Sequence, residues 1–278
     1  MKRILTIQDL SCIGKCSLTA ALPIISAAGI ETCIVPTALL SAHTQFEGFT
    51  FCDLSEQMEA IKAHWNTQGM HFDAIYTGYL GTPGLVDTVL DYVKCFKEKN
   101  TKLIVDPAMA DGGKLYAGLE DGLENKMAKL CEGADIVLPN ISEACLMCGL
   151  DYPGEDAGEE TVKAILKKVA QLGAKCSVIT GVEFSDGTLG FMGLDGYGDF
   201  FRYGTEKVNM KSHGTGDVFS SSFTGAYVRG LSEKQSLRIA ADYTCACIKN
   251  SYEDPQRVSY AVNFEAELPL YMKLLGII

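Results

Sequence analysis

The run KSHGTGDVFSSSF (residues 211–223) holds two glycines around a threonine, then an aspartate, just ahead of a small, apolar, helix-like stretch. Glycines let successive backbone N–H groups converge on one anion, and a following helix adds the positive end of its dipole. Gly214, Thr215 and Gly216 are therefore candidates for an anion hole, and Asp217 for the base that takes a proton from a hydroxyl attacking a phosphate. The same run also reads as a loop feeding a helix, with Asp217 as its cap. A second run, PNISE (139–143), puts a carboxylate three residues past an asparagine at the end of the strand-like DIVLP. That spacing suits Mg²⁺ held through water, since the ion keeps most of its hydration shell. Ser142 can cap the next helix without conflict. Asp106 and Asp111 bracket PAMA and offer further oxygens to cations or ordered water. The loop ADGGKLYAG reads either as a flap over polyphosphate, with Lys114 as its mobile charge, or as an exposed turn.

Other chemistries lose support. SCIGKCS contains Gly14-Lys15, but Asp9 stands where a P-loop needs its first glycine. No G-x-G-x-x-G follows a strand, which removes the main support for a dinucleotide dehydrogenase. Cys145 and Cys148 form C-x-x-C, and Cys245 and Cys247 form C-x-C, but His43, His64, His71 and His213 are all distant in sequence. Buried apolar cysteines are expected there rather than zinc. The eleven cysteines, odd in number and mostly in apolar runs, suggest reduced thiols in a cytoplasmic protein. A net charge of −11 argues against general nucleic-acid binding. MKRILTIQDL is too short in apolar residues for a signal peptide, and no stretch reaches the roughly 18 apolar residues of a membrane span. Without a signal peptide, the Asn-Ile-Ser sequon carries little weight.

The elements that must position these groups alternate. Strands are expected at 3–8, 32–40, 73–81, 102–107, 134–140 and 176–181, with strand-like pieces at 188–194 and 199–210. Helices are expected at 16–29, stopped by Gly29; at 55–65, with Ser55 as N-cap; at 83–99, opened by proline; and at 159–173. A further helix follows the glycine-rich loop 108–118, and helices fill most of 216–250. Pro36 argues for an edge or a bulge in the second strand. Such alternation implies a doubly wound, mostly parallel sheet, where ligands gather beyond the carboxyl ends of the strands. The residues expected at those ends are Gln8 and Asp9, Thr77 and Gly78, Asp106, Pro139 and Asn140, and Thr180 and Gly181. Nearly all are polar or glycine, which a core alone does not require. No linker or repeat divides the 278 residues, so one domain is expected, with a small flap after the second strand.

Together GTGD, the N-x-x-E of PNISE and DPAMAD (106–111) resemble the ribokinase superfamily. SAHTQF (41–46), TGYLG (77–81) and the LTIQ start are similar to its pyridoxal kinase branch. The resemblance spans about residues 4 to 250, with the motifs in the family's order. It implies a ribokinase-like three-layer α/β/α fold and phosphorylation, with ATP and Mg²⁺, of the 5′-hydroxymethyl group of a vitamin B6 vitamer. It implies that Asp217 is the general base and that the amides of Gly214, Thr215 and Gly216 receive the transferring phosphoryl. Glu143 and Asp111 then organise Mg²⁺. Asp106, Asn140, Glu143, Thr180, Gly181 and Thr215 serve the nucleotide. Asp9, His43, Thr44, Gln45 and Tyr79 line the acceptor pocket with Asp217. A homodimer and an activating monovalent cation belong to the same expectation. Two departures stand out: Asp9 replaces the family's usual serine, and Ala110 a common glycine, which stiffens the flap. A carboxylate at position 9 favours a donor or cation, such as a protonated pyridine nitrogen or the amine of pyridoxamine. A hydroxymethylpyrimidine kinase, an enzyme acting on both rings and a non-catalytic vitamer-binding protein are the alternatives. The aspartate of GTGD and the glutamate of N-x-x-E are both present, which speaks against the last.

Overall fold

RILTIQ is apolar at successive positions because its strand is covered on both faces: Ile4, Leu5, Thr6 and Ile7 are all fully buried. The computed structural model describes residues 1–154, 157–210 and 212–278. In chain order they form β1 (Arg3–Ser11), α1 (Ser17–Ala27), β2 (Glu31–Leu40), β3 (Phe51–Asp53), α2 (Ser55–Thr67), β4 (Ala74–Thr77), α3 (Pro83–Phe96) and β5 (Lys102–Val105). A small hairpin, β6 (Ala110–Asp111) and β7 (Lys114–Leu115), precedes α4 (Leu123–Leu130), β8 (Ile136–Val137), α5 (Ile141–Cys148) and α6 (Glu159–Ala170). Then come β9 (Cys176–Glu183), β10 (Thr188–Leu194), β11 (Phe200–Glu206), α7 (Thr215–Arg229), α8 (Glu233–Glu253), a 3-10 turn (Glu265–Glu267) and α9 (Leu268–Leu274). This is the α/β alternation expected from the sequence. No helix among the described residues is long and apolar enough to cross a membrane.

The chain divides into two compact units, one of residues 1–76, 98–101 and 208–278, the other of residues 77–97 and 102–207. In the first, the strand order is β4-β1-β2-β3, with β1 and β2 parallel and β3 antiparallel to β2. The register runs from Arg3 opposite Glu31 to Gln8 opposite Pro36, then slips, so that Leu10 faces Leu39. Thr37 and Ala38 together oppose Asp9 at this bulge, which meets the expectation raised by Pro36, a residue with no N–H to donate. β1 continues to Ser11 rather than ending at Gln8 and Asp9, so Asp9 sits inside the strand at its irregularity. Helices α1, α7 and α8 bury aliphatic faces, including Leu18, Ile24, Val218 and Leu237. Each such side chain contributes about 1.5–3 kcal/mol of transfer free energy. Two buried phenols are satisfied by carbonyls: Tyr271 donates to Ser222 (2.7 Å) and Tyr243 to Phe264 (2.9 Å).

In the second unit β5, β8 and β9 are parallel, and β10 and β11 extend the sheet antiparallel, in the order β5-β8-β9-β10-β11. β9 runs past Thr180 and Gly181 to Glu183, so those residues lie within the strand rather than at its end. The 134–140 strand shrinks to Ile136–Val137, with an isolated bridge joining Asn140 to Thr180.

Three local expectations are corrected. Ser55 is not the N-cap of α2; Leu54 is, and Asp53 Oδ1 accepts the Ser55 backbone N–H at 2.7 Å. The cap of α5 is Asn140, not Ser142. The cysteine pairs are only half buried, with Cys145 and Cys247 inside and Cys148 and Cys245 partly exposed; Cys12, Cys52 and Cys95 are exposed. Helix α9 and strand β3 have no counterpart in the sequence reading, and α5 has one only in the cap expected at Ser142.

Candidate active site

In the first unit the GTGD run folds as a turn entering α7. Gly214 is the N-cap, in the left-handed region (φ 74°), and brings no side chain to cap the helix. The first backbone N–H groups of any helix have no partner within it, and here the cap residue has no side chain to offer them. Asp217 is the third residue of α7 and half-buried, so carboxylate and amides share one helical turn. That turn is shaped by the β1–α1 loop. A Cβ on Gly214 would lie 2.9 Å from the Lys15 carbonyl oxygen. Lys15 (φ 52°) and Ser17 (φ 47°) are themselves left-handed, at a cost of about 1–2 kcal/mol each. Lys15 is anchored by an ion pair with Glu265 (2.8 Å).

Asp9 is buried, at 4% exposure, and accepts the Ser11 hydroxyl at 2.9 Å. Burial pushes its pKa up, opposed by hydrogen bonds from Ser17 and Ser11. Cys16 lies in the field of both Asp217 and Asp9, and burial with those two carboxylates raises its thiol pKa well above normal. The acceptor loop is built on the same corner. His43 donates its backbone N–H to the Ile13 carbonyl (2.9 Å), and its Nδ1 accepts the Gln45 backbone N–H (3.2 Å). This fixes the neutral ring with its proton on Nε2. Burial lowers the His43 pKa, partly offset by the Tyr260 carbonyl. Phe46 stands edge-on to His43 at 4.8 Å, and Tyr260 lies 6.0 Å away. Thr44 and Gln45 are exposed. The Gln45 amide meets Nδ1 of His213 at 2.8 Å. His213 lies in the quoted motif, yet nothing in its spacing reveals this partner.

In the second unit the N-x-x-E run forms a capping box. Asn140 Oδ1 accepts the Glu143 backbone N–H, and Glu143 Oε2 accepts that of Asn140, each at 2.9 Å. Glu143 Oε1 also accepts the N–H groups of Met109 (3.0 Å) and Ala110 (3.4 Å). Asn140 Nδ2 returns a bond to the Ala110 carbonyl at 2.8 Å. The two motifs are thus one backbone network. Glu143 is 3% exposed, and burial pushes its pKa up to about 7 against the three amide donors, with the Asp111 charge adding to the rise. Asp111 is exposed and accepts the Gly112 N–H (2.9 Å), while Asp106 is buried and donates its N–H to the Thr77 carbonyl (3.0 Å).

The expected flap is the β6–β7 hairpin. The Ser142 hydroxyl accepts its Gly113 N–H at 2.9 Å, an anchor invisible in the sequence. Gly113 (φ 77°) leaves no room for a Cβ, which would fall 2.6 Å from the Tyr152 ring. Lys114, at the hairpin turn, is exposed. Thr180 donates its N–H to the Pro139 carbonyl (2.9 Å), and left-handed Gly181 (φ 70°) is exposed beside it. Tyr79, also in this unit, is half-buried in the turn after β4, its ring 3.6 Å from where a Gly81 Cβ would stand. Among the described residues no group of three or more histidine, cysteine or acidic side chains is arranged to hold a metal ion.

The fold has known counterparts. A pyridoxal kinase structure from Lactobacillus plantarum superposes with a TM-score of 0.88 at 29% identity, covering 99% of this chain and 98% of that one. A Bacteroides thetaiotaomicron protein assigned as a phosphomethylpyrimidine kinase, crystallised with pyridoxal, gives 0.91 at 31% identity, covering 97% of this chain and 95% of that one. A hydroxymethylpyrimidine/phosphomethylpyrimidine kinase from Aquifex aeolicus is 27% identical over 228 residues, 80% of this chain and 85% of that protein. The fold is ribokinase-like, as expected. The pattern of the phosphomethylpyrimidine kinase family matches residues 14–260, and the chain belongs to that family.

Proposed function

We propose that this protein is an ATP-dependent kinase of B6 vitamers, transferring the γ-phosphoryl group to the 5′-hydroxymethyl oxygen of pyridoxal, pyridoxine or pyridoxamine within one ribokinase-like domain over 1–278. The observation that carries the mechanism is the first turn of α7, where Asp217 shares a helical turn with the amides that follow a glycine cap. In this reading Asp217 accepts the proton of the acceptor hydroxyl as its oxygen attacks phosphorus. The amides of Gly214, Thr215 and Gly216 receive the charge that collects on the phosphoryl oxygens. Asn140, Thr180 and Gly181, with Asp106 and Thr215, serve the nucleotide. Asp9, His43, Thr44, Gln45 and Tyr79 hold the vitamer, and buried Asp9 favours a ring nitrogen or an amine that donates to it.

Mg²⁺ would come with ATP, held mostly by phosphate and water, and would neutralise charge on the polyphosphate. The residues present suit that arrangement. Exposed Asp111 is the carboxylate able to reach such an ion. Glu143, its oxygens engaged by three amides, acts by ordering the 109–111 backbone. A cytoplasmic homodimer, activated by a monovalent cation, completes the proposal.

The second reading is a hydroxymethylpyrimidine kinase, favoured by the matched family and the Aquifex relative. The same base serves it, since that ring also carries a hydroxymethyl group. One assay separates the readings: ATP consumption with each vitamer and with hydroxymethylpyrimidine, on the native chain and on Asp217→Ala. Turnover of a vitamer is expected, falling at least about 100-fold in the variant. Turnover of hydroxymethylpyrimidine alone moves the assignment to the second reading, and near-native turnover by Asp217→Ala removes Asp217 as base.

A further inference from the structure

The Gln45 amide and the His213 ring, 168 residues apart in sequence, meet at 2.8 Å. With the amide nitrogen facing Nδ1, the amide donates, and neutral His213 keeps its proton on Nε2. His213 directly precedes Gly214, the N-cap of α7. Gln45 belongs to a tight turn in which Phe46 donates its N–H to the His43 carbonyl at 3.0 Å. Both loops also rest on the β1–α1 loop. A Cβ on Gly14 would strike the His43 ring at 2.6 Å, and one on Gly214 the Lys15 carbonyl at 2.9 Å. Those close approaches limit how far apart the two loops can stand, and the Gln45–His213 bond, beside a tilted His43–His213 ring pair at 6.2 Å, is the side-chain hydrogen bond that ties one to the other.

We infer that His213 is a positioning residue, joined to Gln45 so that the acceptor loop and the anion-binding turn keep a fixed spacing. The inference rests on the phosphotransfer reading above. In that reaction the attacking oxygen and the phosphoryl group must approach in line, and a small misplacement of either is costly. The link is exposed on both sides, where a single side-chain hydrogen bond contributes little to folding. Its value lies in alignment: the Gln45 side chain acts through His213, and Gln45 lines the acceptor pocket through its backbone.

The test is a double-mutant cycle of His213→Ala and Gln45→Leu, with His213→Asn as the conservative variant, because its Oδ1 can stand where Nδ1 does and accept the same proton. Steady-state rates are measured with whichever acceptor, vitamer or hydroxymethylpyrimidine, the native chain turns over. Each single variant is expected to lose about tenfold in kcat with the KM for ATP unchanged, and the double variant to lose no more than the worse single one. His213→Asn should recover most of the loss, and all variants should melt within a few degrees of the native chain. Losses that multiply in the double variant, a His213→Ala rate within about twofold of native, or no recovery in His213→Asn would each overturn the inference. A native chain inert toward every acceptor would instead sink the functional reading, and the inference with it.

Discussion

The two units hold their acidic motifs in opposite ways. In the second, the carboxylate of Glu143 is enclosed and takes three backbone N–H groups, fastening the 109–110 segment to the start of α5. In the first, Asp217 sits at the opening of a helix whose cap is a glycine without a side chain. One acid is committed to the main chain; the other stands beside the first donors of a helix whose cap brings no side chain to them. Two motifs that look alike in sequence, an acid a few residues into a helix, therefore divide into a fastener and, in the reading proposed above, a reacting group. The difference lies in whether the cap residue brings a side chain to the neighbouring amides.

Breaking the first unit's turn should have the largest effect. Gly214→Ala drives a Cβ against the Lys15 carbonyl at a left-handed φ, where backbone rather than a flexible side chain must yield. If the amides after residue 214 hold the transferring phosphoryl, kcat should fall about 100-fold, as for loss of an oxyanion-hole donor. Steady-state kinetics check this, and a loss confined to KM would contradict it.

Breaking the second unit's network should show in stability instead. Glu143→Ala leaves the N–H groups of Asn140, Met109 and Ala110 without their acceptor, at a cost of about 2–3 kcal/mol in urea unfolding. A midpoint unchanged from native would mean that water replaces the carboxylate, and that the contrast between the units is false. Smaller and more selective is Asp9→Ser, which should shift the relative kcat/KM of pyridoxamine and pyridoxine by about tenfold against the amine. Equal efficiencies before and after would remove Asp9 from recognition.

The mildest test is a titration. Burial holds the His43 pKa below its ordinary 6.5, so the folded chain takes up this proton less readily than the unfolded one. The associated stability is present above pH 6.5 and is lost as pH falls through the folded-state midpoint. Protonation also removes the acceptor for the Gln45 N–H, so the acceptor KM should rise on the acid side. An NMR titration of the His43 ring should give a midpoint below 6.5, and a midpoint above it contradicts the argument.

Residue type and order made much of this readable in advance. The glycines and acid of GTGD, the N-x-x-E spacing and the proline-marked bulge all depend on local geometry, which adjacent residues specify. Pairings across long separations were not readable. Nothing near Glu143 announces Met109 and Ala110 as partners, and nothing near His213 announces Gln45. Helix α5 shows in the sequence only as a cap because ISEACLMC is only eight residues long and almost wholly buried, leaving no polar stripe to betray a helical period. Ser55 misled because Asp53, two residues before it, accepts both its backbone N–H and its hydroxyl, so that hydroxyl is held away from the helix amides a cap would serve.

The twisted corner at Lys15 and Ser17 reverses a common rule of mutational tolerance. Elsewhere in a folded chain, exchanging a side chain for hydrogen loosens the backbone and weakens the structure. At Lys15 it would instead release conformational tension that the native side chain now imposes, whereas at Ser17 the gain is offset by the lost hydrogen bond to Asp9. The protein thus keeps reserve stability beside its glycine turn, open to any variant that gives up the Lys15 tether to Glu265 in exchange.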